Sequence, residues 1–334
     1  MIRWLQSKEK DSCKRVAGLA SKMGAPFEEE LLAELIKASV RGGELKLVKS
    51  RNRFYLDQNT LSEWLKQRVI PSTVYLSKDD YTRALAQGFR LAILRAGVIV
   101  DFDRARKRDF GQRWSDYTRG ELGEIGFKHF LEERFGKKVR LEKRIEARPE
   151  DFYARDVSAV EEEGSWREPH LKLSIKSTKL GGEWLDLPGA QLERSDAFVL
   201  VKAGLTLDHI ASFLKDWGLL EKLFRYVQTL GEPGFEEEEI KKIFERIPAL
   251  GDVPVYICGF AYKADFEQNN FELRPRRKRE KILNEVVRGI GSLSSIDGEF
   301  EVLGIPAMTK DHRIASSGYL KWKLEDWKEL INKL

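Results

Sequence analysis

The chain is poor in the residue types that cross-link a protein, bind zinc or span a bilayer. It has two cysteines, Cys13 and Cys258. They are too few and too far apart for a disulfide framework or a paired metal motif, and they imply a reducing compartment. The four histidines, His129, His170, His209 and His312, share no H-x-x-x-H spacing, which argues against a helix-borne zinc site. There is no G-x-x-x-x-G-K-[ST] loop, so no use of ATP is expected, and no G-x-S-x-G elbow or matched cysteine nucleophile. The longest apolar run, Leu91 to Val100, is broken by Arg95 and is too short to span a bilayer. No apolar core suited to a signal peptide follows Arg3 and Trp4. These absences predict a soluble, cytoplasmic protein with no membrane partner.

What is present is a core and a dense surface charge. Of the 334 residues, 42% are hydrophobic and 34% are charged. The first figure is enough to bury a core. The second exceeds the usual level of about 25% and, with only three methionines, resembles the surface chemistry of heat-stable proteins. The net charge of +5 says little, but its distribution says more. Arg104, Arg106, Lys107 and Arg108 form one basic cluster, and Arg274, Arg276, Arg277, Lys278 and Arg279 form another, while Glu236 to Glu239 is an unbroken acidic run. Each run alone reads as a solvated face. Two basic clusters flanking one candidate site favour contact with a phosphate backbone, hence double-stranded DNA as partner.

Residues 1 to about 70 read as a separate module. A short helix spans residues 14–23, and a second over 27–39 carries apolar residues at 27, 31, 32, 35 and 36, which is helical spacing. After Gly42-Gly43, the segments 44–48 and 53–56 alternate as a hairpin. Helix, helix, hairpin resembles a winged helix. Its second helix carries Glu28, Glu29, Glu30 and Glu34, so the wing residues Lys49, Arg51 and Arg53 are the better DNA contacts, with protein docking as the alternative. Residues 71–334 read as an α/β layer with a central mixed sheet. Helices are expected at 79–96, 119–135 and 324–334, and strands at 138–141, 155–160, 170–176, 197–201 and 253–262. A helical insertion occupies about 205–248.

The chemistry concentrates in a short stretch. Asp156 and Lys176 lie on successive strands, and Glu124 opens an amphipathic helix upstream. Phosphodiester hydrolysis needs a cation to offset charge on the phosphate and to supply hydroxide near neutral pH. Mg²⁺ accepts one or two carboxylates plus water. Asp156, Glu124 and the carbonyl of Ile175 supply suitable oxygens, and Lys176 shares a strand face with Ser174, from where it can orient water or offset phosphate charge. Asp151 rivals Asp156 for its role, and Gln191 is a further residue that could touch the site. Singly, Lys176 reads as a surface lysine and Glu124 as a carboxylate favoured by a helix N-terminus.

Together these residues resemble the PD-(D/E)xK restriction-endonuclease-like nucleases. Gly120-x-x-Gly123-Glu124 resembles the first helix of that fold, Arg155-Asp156-Val the catalytic aspartate strand, and Ser174-Ile-Lys176-Ser-Thr the (D/E)xK strand. Residues 184–191 and 195–202 resemble the helix and strand that follow, and 255–263 a later strand. The resemblance covers roughly residues 100–334 on short motifs. It implies a restriction-endonuclease-like core, a DNA endonuclease dependent on Mg²⁺ (Mn²⁺ as substitute), and a homodimer among the allowed states. A restriction enzyme is the leading setting, with a repair or mobile-element nuclease behind it. Two positions depart from the pattern. Arg155 replaces a proline, and Ser174 replaces an acidic ligand, for which Glu124, Glu183 or Asp186 would have to compensate. The alternative is a non-catalytic DNA-binding or adaptor protein that keeps the fold.

Overall fold

The computed structural model describes residues 15–25, 27–50, 53–94, 109–142, 156–278, 281–302 and 310–334. Its centre is β9 (Ala197–Ala203), a strand buried along its whole length. A continuous apolar run such as Ala-Phe-Val-Leu-Val suits a strand covered on both faces. β9 pairs antiparallel with β10 (Val253–Tyr262) and parallel with β7 (Leu173–Lys179), and β10 pairs antiparallel with β3 (Thr73–Leu76). The sheet is therefore mixed, in the order β3-β10-β9-β7, with β7 at one end. An irregularity between Ile257 and Gly259 shifts the β10 register.

One face of the sheet is covered by α4 (Lys78–Ile93), α5 (Phe110–Phe135) and α10 (Leu324–Asn332). Tyr81, Leu85, Leu122, Phe127, Phe130 and Trp327 pack there on Leu173, Ile175, Val199, Val201, Val255 and Ile257. Ser77 and Asp80 form a capping box that starts α4, and Asp109 caps α5 through the Gln112 amide. Two small residues let these helices approach closely. A β-carbon at Gly88 would lie 2.6 Å from Thr118 Oγ1, and one at Gly123 would lie 2.6 Å from Ser177 Oγ on β7.

The other face is covered by the N-terminal module. A helix over 15–22 (α1), α2 (Glu29–Gly42), the hairpin β1 (Val48–Ser50) and β2 (Arg53–Tyr55), and α3 (Gln58–Trp64) follow in order. The chain then widens into a π-helical turn at Leu65–Val69. Leu32, Leu35, Leu45, Leu61, Trp64 and Leu65 share one apolar cluster with Phe198, Leu200, Tyr256 and Cys258 of the sheet. The module's apolar residues are thus packed with the sheet rather than enclosed among themselves.

A buried charge cluster ties this contact. Lys202 of β9, with 0% side-chain exposure, donates to Glu44 Oε1 at 2.8 Å, and Glu44 is equally enclosed. Tyr256, the cross-strand neighbour of Lys202, donates to Glu44 Oε2 at 2.8 Å. Arg68 lies 3.5 Å from Glu44 and donates to the carbonyls of Cys258 and Ser317. Burial alone would raise the Glu44 pKa, but Lys202 and Arg68 outweigh it and hold the carboxyl far below its usual range. Burial, with Glu44 beside it, pushes the Cys258 thiol up to about 12, so Cys258 is an inert neutral group.

Segment 184–191 differs from its expected helix. Trp184–Leu187 is a strand, β8, and only Gly189–Leu192 is helical (α6). Leu185 and Leu187 are fully buried on either side of the half-buried Asp186, a period-two pattern, and Pro188 follows. β8 joins a sheet the sequence did not reveal, in the order β11-β12-β14-β8, with β13 (Phe300–Val302) beside β12. Its members are β11 (Asn270–Lys278), β12 (Lys281–Ser292) and β14 (Arg313–Ser316). A third sheet contains β4 (Val139–Leu141), β5 (Val157–Glu162) and β6 (Ser165–Arg167). The insertion folds as α7 (His209–Asp216), α8 (Leu219–Thr229) and α9 (Glu237–Arg246), and α8 and α9 bury no residue. No helix among the described residues is long and apolar enough to cross a membrane.

Two predictions follow from the buried polar groups. Glu44→Gln leaves Lys202 and Arg68 without their counter-charge, and should cost about 3–5 kcal/mol in urea denaturation; an unchanged midpoint would show that the cluster adds nothing. His209 accepts from or donates to the Tyr81 hydroxyl at 2.6 Å. Burial, followed by the fields of Arg119 and Lys179 and opposed by Asp208, lowers its pKa from 6.5 to about 4. The unfolded chain is then protonated first as pH falls. Stability present above about pH 6.5 should decline down to about pH 4, by roughly 3 kcal/mol in all. His209→Gln should remove that part of the pH dependence in parallel denaturation curves.

Candidate functional site

The site lies where two strands part. At its start, β5 is joined to β7 by the Asp156 amide, which donates to the Leu173 carbonyl at 2.9 Å. Beyond that point β5 belongs to a different sheet. Asp156 therefore sits in the fork between them, 2% exposed. Its Oδ2 accepts from the Ile175 amide at 2.5 Å and from the Ser174 hydroxyl at 3.2 Å. A β-strand sends the N–H and C=O of one residue to the same side, so the Ile175 carbonyl also faces the fork.

The alternation of β7 sorts the other residues. Leu173 and Ile175 face α5, and Ser177 abuts Gly123 of that helix. Ser174 and Lys176 consequently face the opposite side, where their β9 neighbours Phe198 and Leu200 pack with the N-terminal module. Glu124, 6% exposed, lies in the middle of α5; the helix begins at Phe110 under the Asp109 cap, so Glu124 does not open it and is not a helix N-terminal charge as the sequence suggested. It lines a cleft of about 1220 Å³ walled by α4, α5, β4 and β5, in which Ser158 of β5 also takes part. Glu124 and Lys176 thus approach the outer edge of β7 from two faces of the sheet. Asp156, Ser174 and Ile175 are in direct contact, whereas Glu124 lines a cleft whose wall includes none of the three.

The proposed replacements for an acid at 174 divide. Glu183 is held by Arg41 at 3.3 Å, and burial raises its pKa against the pull of Arg41. Asp186 is held by His312 at 2.7 Å, a contact that raises the histidine pKa. Glu124 is the one of the three that lines the cleft between α4, α5, β4 and β5. Among the described residues, no three His, Cys, Asp or Glu stand together as a metal group. The oxygens at the fork nevertheless suit one hard cation, which needs no more than one or two carboxylates with a carbonyl and water. Gln191 is in α6, between β8 and β9.

Of the basic residues singled out, Arg104, Arg106, Lys107, Arg108, Arg51 and Arg279 lie outside the described residues, as does Asp151. Lys49 and Arg53 are in the β1–β2 hairpin. Arg276, Arg277 and Lys278 are on the long ribbon formed by β11 and β12. Arg276 is engaged by Glu285 at 3.1 Å and Glu301 at 3.7 Å, whereas Arg277 is exposed.

The sequence reading missed the cations of the cleft wall, Arg83, Arg90, Lys128, Lys138 and Arg140. Arg140 stacks over the partly exposed Trp166 at 4.0 Å. Arg83, Arg90 and Lys128 follow helical spacing on α4 and α5, a signal available but indistinct from an ordinary solvated face. No known protein family, curated protein or solved structure matches the chain.

The crossing of α5 over β7 can be tested directly. Gly123→Ala drives a β-carbon into Ser177 and should destabilise the fold by about 1–3 kcal/mol. Shortening Ser177 to glycine in the same chain should recover part of the loss in thermal denaturation.

Proposed function

We propose that the protein is a metal-dependent DNA endonuclease with a restriction-endonuclease-like core, acting in the cytoplasm as a restriction enzyme. The observation that carries the reading is the fork. A buried carboxylate is held by a backbone amide at the point where β5 leaves β7, with a lysine two residues past Ser174 on the edge strand. The order along the chain, α5, β4, β5, β6, β7, β8, α6 and β9, supports the same reading in that the helix, the aspartate strand and the lysine strand follow one another as in the resemblance, although β4, β5 and β6 form a sheet of their own and β8 belongs to another.

Asp156, the Ile175 carbonyl and Glu124 would hold Mg²⁺ or Mn²⁺. The bound cation would supply Lewis acidity and a nucleophilic hydroxide near neutral pH. The chain's own residues would do the rest. The Ile175 amide and Ser174 hydroxyl fix the Asp156 carboxylate. Lys176 places a positive charge beside the fork, where it offsets charge on a phosphate or orients water. The basic ribbon would hold duplex DNA through its phosphates.

A second reading rests on Ser174. Its hydroxyl donates to Asp156 where the resemblance places a ligand, which would suit a DNA-binding or adaptor protein without turnover. Plasmid cleavage with and without Mg²⁺ or Mn²⁺ separates the two. Asp156→Ala should lower cleavage by at least about 100-fold while leaving DNA affinity within about threefold. Cutting that survives this substitution would overturn the assignment, and binding without cutting on plain and methylated DNA alike would establish the adaptor.

A further inference from the structure

We infer that a groove around the outer edge of β7, just beyond Lys176, is a subsite for DNA phosphates, shared between the N-terminal module and the nuclease-like core. The inference rests on the endonuclease reading above and adds where the substrate backbone runs. The groove holds about 490 Å³ and draws on three elements: Lys37 and Arg41 of α2, Arg119 of α5, and Thr178 to Glu183 from the end of β7 into β8.

Its charge is the first observation. Lys37, Arg41, Arg119 and Lys179 face it against Glu34 and Glu183. One acid is already committed, because Glu183 is bound by Arg41 at 3.3 Å. Arg119 is paired with Asp116 at 2.9 Å. Lys37 and Lys179 form no salt bridge among the described residues. The four cations outnumber the two acids that line the groove, Glu34 and Glu183, and an excess of positive charge drawn from separate elements is relieved by an anion.

Position is the second observation. Thr178 follows Lys176 on the same face of β7, and Lys179 is three residues from Lys176, a span of about 10 Å at the usual strand rise. That equals roughly three base-pair steps along a duplex. A backbone whose phosphate lies at the Asp156 fork would therefore reach the groove within a few nucleotides. Because β7 is the last strand of its sheet, nothing in that sheet lies between the fork and the groove. The groove also revises the role of α2. Its N-terminal glutamates point away from a DNA contact, but Lys37 and Arg41, one turn apart, bring its other flank to the substrate.

The test is equilibrium binding of a short fluorescent duplex in EDTA across a salt series, which removes cleavage from the readout. Lys37→Ala and Lys179→Ala should each weaken binding about 3- to 10-fold and reduce the slope of log K against log salt by about 1. The double variant should lose about 2. Lys37→Arg and Lys179→Arg should restore both affinity and slope, which a misfolded variant would not do. Lys328→Ala, on the exposed face of α10, makes the same charge change elsewhere and should leave the slope at the wild-type value. Wild-type slopes in both groove variants, in a protein that binds and cuts DNA, would overturn the groove and leave the endonuclease standing. Failure of the wild-type protein to bind duplex DNA would overturn both.

Discussion

A lysine in the middle of a fully buried strand must be neutralised where it lies, and in this protein the counter-charge comes from another part of the chain. Lys202 belongs to β9, at the centre of the sheet, whereas Glu44 belongs to the N-terminal module. Breaking such a pair leaves an uncompensated charge in a low-dielectric interior, which costs more than the pair itself contributes. The contact therefore fixes position more than it adds stability. Arg68 and Tyr256 close on the same carboxylate, so the module is held by directed bonds as well as by apolar packing. In the β7–β9 register Lys202 faces Thr178. The anchor is thus one strand away from the groove where Lys37 and Arg41 of the module meet the end of β7.

A second constraint acts at the other end of the same edge strand. β5 pairs with β7 only at its start, and the polar groups exposed by that divergence need partners. Asp156 supplies one, because its carboxylate accepts the Ile175 amide that a neighbouring strand would otherwise satisfy. The Asp156 carboxylate is consequently part of the hydrogen-bonding scheme of the sheet. Gly123 contributes from the opposite side by letting α5 lie against Ser177, which sets how far Glu124 stands from the edge.

The elements around the site were legible in the sequence because local pattern and tertiary role agree there. β9 and β10 are continuous apolar runs, the Gly-x-x-Gly-Glu signature falls within α5 although that helix starts earlier, at Phe110, and Asp156 and Lys176 fall on the two strands that meet. The second sheet was not legible. β11 is an arginine-rich ribbon with an exposed face and little alternation, and β8 is only four residues long. Its apolar positions are also compatible with the first turn of a helix. The Glu44–Lys202 bond spans 158 residues, and nothing local marks either residue as buried. Lys37 and Arg41 were obscured by the glutamates that precede them on α2, because a charge count along a helix does not say which flank meets a groove.

Ser174 alters the electrostatics of the fork in a definite direction. A second carboxylate at that position would crowd Asp156 with like charge, and one of the two would be driven towards its protonated form unless a cation were bound. A hydroxyl adds no charge and instead donates a hydrogen bond to the Asp156 carboxylate. The fork is therefore organised in advance, at the expense of a ligand. On the endonuclease reading, the remaining coordination falls to water and to the oxygens of the substrate phosphate, so cation and DNA would bind cooperatively, each improving the site for the other. A groove that holds the backbone a few nucleotides away would matter most in such an enzyme, because the phosphate it positions helps to complete the metal site.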